Sequence, residues 1–95
     1  MIKIKYQFNL EMKNYTVIDS FTIGADPRND CIIIGKNFPP KIFTLTIKEN
    51  YLSLCVLTNE GLPSLNQLHL EKDKKYLLEV NDHIIFQGHH FYIEG

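Results

Sequence analysis

Three short stretches bring several hydrogen-bond donors close together in the sequence. "GADPRND", residues 24–30, carries the one arginine of the chain, Arg28, among Asp26, Asn29 and Asp30. "GKNFPPK" adds Lys36, Asn37 and Lys41, and "TNEGLPSLN" adds Thr58, Asn59, Ser64 and Asn66. A guanidinium, ammonium groups, amides and hydroxyls can all donate hydrogen bonds, so a loop surface rich in them can hold a polar or charged partner. A simpler role is open to Arg28 as a solvated turn residue. Asp26-Pro27 reads as a turn opening, with proline at the second position.

Other chemistry finds no comparable grouping. GxSxG, HExxH, GxGxxG and Walker-type loops are all absent. Of the four histidines, His89 and His90 are adjacent on an expected strand and so point to opposite faces, while His83 can meet one of them across the Gln87-Gly88 turn. That set predicts neither a metal site nor a catalytic centre, and nothing calls for a cofactor. Cys31 and Cys55 show no CxxC spacing and sit inside apolar runs, which reads as reduced, buried, small apolar residues rather than a disulfide. The net charge of −1 and pI of 6.4 give no basic excess for nucleic acid or an anionic membrane. Aromatic residues fall on apolar strand faces, without the basic–aromatic interleaving of RNA readers. The apolar run Cys31–Ile34 is far short of the ~20 residues a spanning helix needs. "MIKIKYQFNLEMK" breaks its apolar residues too often for a signal peptide. The expected location is cytoplasmic, as a free domain or as the cytosolic part of a membrane-anchored protein.

The elements that must position these groups are strands. In "IKIKYQF" Ile2, Ile4, Tyr6 and Phe8 share one face and Lys3, Lys5 and Gln7 the other, the period of a half-buried strand. "MKNYTVI", "FTI", "CIII", "IFTLTIK", "YLSLCVL", "SLNQLHL", "KKYLLEV", "HIIF" and "HHFYIE" continue the series. The unbroken Ile32-Ile33-Ile34 predicts burial on both faces. Phe43, Leu45, Ile47 and Leu54 are expected in the core of a central hairpin, turned at Asn50, a residue that takes positive φ at low cost. No window has a helical period. Ninety-five residues of short strands joined by turns predict one all-β domain, a sandwich or barrel.

The order of these features resembles a forkhead-associated (FHA) domain. "FTIG" matches the strand that ends in glycine, "DPRND" the Asp-Pro-x-x-Asp loop after it, "NDHIIF" the penultimate strand, with Asn81 where glycine is usual, and "QGHHF" the last hairpin. The resemblance runs from about Ile2 to Glu94. It implies a β-sandwich of two twisted, mainly antiparallel sheets, about eleven short strands, filling residues 1–95 as a single domain, the N-terminal module of a larger protein. It also implies binding of phosphothreonine peptides by loops at one end, and there the sequence departs from the pattern. The phosphate-contacting arginine follows the strand glycine; here Ala25 stands at that place. In the next motif, Ser-Arg-x-His, Pro39 stands at the serine, Pro40 at the arginine and Ile42 at the histidine. Proline has neither a hydroxyl nor a backbone N–H to donate. The later Asn-Gly pair aligns with Glu60-Gly61, and a further asparagine survives at Asn66, followed by Gln67. The expected function is docking on a protein partner, a peptide or a folded surface, with a degenerate phosphothreonine pocket, as in FHA-like modules of bacterial secretion machines. The alternative is a phosphothreonine reader with displaced donors such as Arg28 and Lys41.

Overall fold

Alternating apolar residues give strands only if two sheets bring those faces together, and the computed structural model, which describes residues 1–95, does so. Eleven strands follow one another: β1 (Ile2–Phe8), β2 (Glu11–Val17), β3 (Ser20–Gly24), β4 (Cys31–Ile32), β5 (Phe43–Lys48), β6 (Tyr51–Val56), β7 (Ser64–Leu65), β8 (Leu68–His69), β9 (Lys75–Leu78), β10 (His83–Phe86) and β11 (His89–Glu94). One sheet has the order β2-β1-β11-β10-β7-β8 and the other β4-β3-β5-β6-β9. All strand pairings are antiparallel except β3 with β4. No helix is long and apolar enough to cross a membrane.

The inward faces form one core of 20 buried residues. Phe43 of β5 and Phe91 of β11 meet edge to face across the two sheets, with centroids 5.3 Å apart, a favoured aromatic geometry. Phe43, Leu45 and Leu54 are fully buried, and Ile47 packs half-buried at the edge of the same cluster. Three hairpins close on two successive residues with positive φ: Glu49-Asn50, Asn66-Gln67 and Gln87-Gly88. This twist matches that of the flanking strands, and asparagine and glycine adopt it most readily.

Three expectations are corrected. Ile33 is buried, but Ile32 is 43% and Ile34 80% exposed, because β4 is only Cys31–Ile32 and its sheet covers one face, so successive residues alternate in and out. Cys31 is buried, whereas Cys55 looks outward from β6 and is only half-buried; both thiols are free. His89, which the sequence reads as an ordinary surface or half-buried histidine, is 3% exposed and points inward on β11.

Candidate functional site

Connections at one end of the sandwich include the β1–β2 turn, the β3–β4 loop, the β4–β5 loop, the β6–β7 loop and the β10–β11 turn, with the β8–β9 segment beside Val56. The middle three carry most of the candidate donors. They are held by hydrogen bonds between loops rather than by a ladder. The Ala25 N–H donates to the Pro39 carbonyl at 3.0 Å and the Asp26 N–H to the Pro40 carbonyl at 3.2 Å. The Asn29 side-chain amide donates to the carbonyls of Asp26, at 2.9 Å, and Pro40, at 2.7 Å. Gly24 is required by close approach, since a Cβ there would stand 2.0 Å from the Pro40 carbonyl oxygen. On the β6–β7 side the Leu57 N–H donates to the Ile42 carbonyl at 2.8 Å, and the Thr58 hydroxyl accepts from the Glu60 N–H at 3.0 Å. The prolines therefore contribute carbonyls that tie two loops together, although they have no N–H to offer a ligand.

Between these loops lies an open groove of about 420 Å³, lined by Asp26, Arg28, Pro39, Lys41, Thr58 and Glu60 among others. Its arginine is already engaged. Arg28 donates to the two Asp26 carboxylate oxygens from Nε at 3.1 Å and from Nη2 at 2.8 Å, and its backbone N–H adds a bond of 2.8 Å. These hydrogen bonds hold the Asp26 carboxyl down to about 2 and push the Arg28 guanidinium up. The Arg28 side chain is 88% exposed and that of Asp26 19%. The cation thus faces solvent with its carboxylate beside it, the charge of the pair balanced within the loop.

Arg28, Lys41 and Thr58 are brought to one groove, with Thr58 itself buried. Asn59 is exposed beside it. Asn29 lies beneath the loop, 9% exposed, its amide committed to the two carbonyls. Lys36 and Asn37 form the exposed Gly35–Phe38 turn and do not line the groove; Asn37 has φ 63°. Ser64 belongs to β7, opposite Ile85. Asn66 lies at the far end of β10, donating to an Asp82 carboxylate oxygen and accepting from the His83 N–H, each at 2.9 Å.

Sequence reasoning missed two parts of this end. The first is Asp26 as the partner of Arg28: the Asp-Pro-Arg spacing permits a turn carboxylate to reach residue i+2, and the folded loop brings the two together. The second is the anchor of the β4–β5 loop. Phe38 covers Gly35 and meets Phe86 and His89 edge-on, at 5.2 and 5.6 Å between centroids. His89 stacks on Phe8 at 3.9 Å, and its Nδ1 pairs with the Tyr6 hydroxyl at 2.7 Å. Burial pushes the His89 pKa down and that of Tyr6 up to about 12, so both are neutral near pH 7.

No protein-family model matches the chain, and no curated protein matches it in sequence. Solved structures do. The FHA domain of CT664 from Chlamydia trachomatis superposes with a TM-score of 0.85 at 12% identity, over 99% of this chain and 96% of that one. The FhaA FHA domain, solved in complex with the intracellular domain of Rv3910, gives 0.85 at 10% identity, over 99% and 100%. The N-terminal FHA domain of Rad53p from S. cerevisiae, solved with a phosphothreonine peptide, gives 0.78 at 18% identity, over 96% and 91%. This chain covers only 29% of a longer Rad53 chain, residues 1–466 with AMP-PNP. The fold is that of FHA domains.

Proposed function

We propose that this FHA-like domain is a non-enzymatic docking module that binds a protein partner through its loop end without reading phosphate. One observation carries the reading: Arg28, the only arginine, is held by the carboxylate of Asp26. A phosphate would have to displace an anion that is already in place. It would also find a methyl group at Ala25 and no N–H at Pro39 or Pro40. A hydrogen bond to a charged group contributes ~1.5–3 kcal/mol, and ~1.4 kcal/mol is tenfold in affinity. Two or three missing contacts are enough to move a micromolar reader to millimolar. The adjacent prolines stiffen the loop, which lowers the ordering cost of docking on a protein surface. A neighbour of this fold bound to another protein's domain and one bound to a phosphothreonine peptide are compatible with either partner type. The host we propose is a larger protein acting in an assembly on the cytoplasmic side, with a bacterial secretion machine as the setting that the sequence resemblance supports.

The rival reading, a phosphothreonine reader with displaced donors, is favoured by the shared position of Arg28, Lys41 and Thr58 on one groove. Restoring the missing donors separates the two. Ala25→Arg with Pro39→Ser keeps the backbone carbonyl that Ala25 N–H uses and adds a cation and a hydroxyl. The double variant is expected to bind phosphothreonine peptides at least ~10-fold more tightly than the natural sequence. Micromolar, phosphate-dependent binding by the natural sequence, lost in Arg28→Ala, overturns the docking reading.

A further inference from the structure

We propose that a groove between the β1–β2 hairpin and β4 is an anchor site for the phenol ring of a tyrosine on a protein partner. The groove holds about 230 Å³, below the range of pockets for drug-sized ligands and suited to one side chain. Phe8 of β1, Ile32 and Ile34 around β4, and His89 of β11 line it. It shares no lining residue with the groove of Arg28 and Lys41, so it stands whether or not that groove reads phosphate. β2 and β4 are edge strands of their sheets, which leaves this side of the sandwich open to a partner. Ile32 and Ile34, the two exposed isoleucines of this segment, form one wall.

A polar atom beneath these apolar walls sets the chemistry. His89 is almost fully buried, and its Nδ1 pairs with the Tyr6 hydroxyl at 2.7 Å. That is the hydroxyl's one hydrogen bond, so Tyr6 donates to Nδ1 rather than leave its proton unpaired in the core. A neutral imidazole accepting at Nδ1 carries its hydrogen on Nε2, and burial keeps this ring neutral near pH 7. No fully buried side-chain nitrogen or oxygen lacks a partner, and Nε2 has none within the fold, so the little surface His89 keeps includes Nε2. The concavity that His89 lines is this groove, to which Nε2 offers an N–H. At the rim Glu11 and Lys13 pair with each other at 3.0 Å, so the mouth carries no net charge. The site therefore fits a neutral, flat, apolar body with an acceptor oxygen at its tip. A phenol ring packs between the stacked Phe8–His89 pair and the isoleucines, and its oxygen accepts from Nε2. Tyrosine is also one of the side chains that most often anchor protein interfaces.

The test uses p-cresol, which is the tyrosine side chain alone, and toluene, the same ring without the oxygen. Each is titrated into the domain at neutral pH and followed by nuclear magnetic resonance. p-Cresol is expected to bind saturably at ~1 mM, an affinity in keeping with so small a ligand, with shifts centred on Phe8, Ile32, Ile34 and His89. Toluene is expected to bind at least ~3-fold more weakly for want of the acceptor. Ile34→Asp alters an exposed side chain, spares the fold and is expected to weaken p-cresol at least ~3-fold. Leu77→Asp, at an exposed apolar position of β9, is expected to leave it unchanged. A long-range proton–nitrogen spectrum is expected to place the His89 hydrogen on Nε2. Absence of saturable binding, shifts centred elsewhere, toluene binding as well as p-cresol, unchanged affinity in Ile34→Asp, or a His89 hydrogen on Nδ1 overturns the proposal.

Discussion

The β5–β6 hairpin and the laced loops between β3 and β5 solve the same problem in two ways. Every backbone polar group taken out of water needs a partner. In the hairpin a regular ladder supplies the partners, running from Phe43 opposite Val56 to Lys48 opposite Tyr51. The side chains are then free to alternate, with Leu45 and Leu54 inward and Thr46 and Ser53 outward. In the loops there is no ladder. Amides of Ala25, Asp26 and Asn29 find the carbonyls of two prolines instead. The hairpin is stable because of what it buries. The loops have a fixed shape because of a few specific bonds, and that shape sets the Arg28–Asp26 pair, Lys41 and Glu60 along one groove.

If this contrast is right, the largest effects on stability come from the hairpin. Leu45→Ala or Leu54→Ala is expected to cost about 2–5 kcal/mol in chemical denaturation, as large-to-small changes in a closed core do. Near-native midpoints would mean that the register is slipped by one residue. The loop lacing ranks next. Asn29→Ala removes the amide that serves both Asp26 and Pro40, and a loss of about 1–3 kcal/mol is expected. Hydrogen exchange at the Ala25 and Asp26 amides should quicken selectively; quickening across β5 and β6 as well would mean that the two regions are one cooperative unit.

The anchor beneath the loops carries a pH dependence. Burial lowers the His89 pKa, so below about 6.5 the unfolded chain binds the proton more readily than the folded one. Stability is therefore full above that pH and falls as the pH drops through 6.5 toward the lowered folded value. His83, also held down by burial and by His90, adds to the same slope. His89→Gln should flatten part of the slope and His83→Gln the rest; a slope unchanged in both variants would contradict the assignment. The smallest stability effect is expected for Asp26→Ala. It removes an ion pair whose arginine faces solvent, a class that adds little to stability, together with one bond to the Arg28 backbone N–H. Its denaturation midpoint should stay close to the natural one while the Arg28 guanidinium signals in a nitrogen-detected spectrum change.

The strands were legible because period two survives wherever one face is covered: Ile2, Ile4, Tyr6 and Phe8 read correctly as a single face. The reading failed at Ile32 and Ile34, where three isoleucines in a row hide the fact that a sandwich covers only one face of each sheet. It failed again at His89, which is buried, whereas its neighbour His90 is half-buried on the other face as read. The strand alternation separating them was visible, but the stacking of Phe8 and the hydroxyl of Tyr6, which make the inner position hospitable to an imidazole, come from a strand more than eighty residues away (the hydrogen-bonded pair is separated by 83 positions). At the loop end the missing donors, Ala25 and Pro39, could be read from the sequence. The engagement of Arg28 by Asp26 depends on a turn geometry that only the folded loop fixes.

The most direct test of the docking account is calorimetric titration of the natural domain with a degenerate phosphothreonine peptide library and with its unphosphorylated twin. The account predicts that phosphorylation confers no gain in affinity. Low-micromolar binding that disappears on dephosphorylation and in Arg28→Ala would contradict it and restore the phosphate reader.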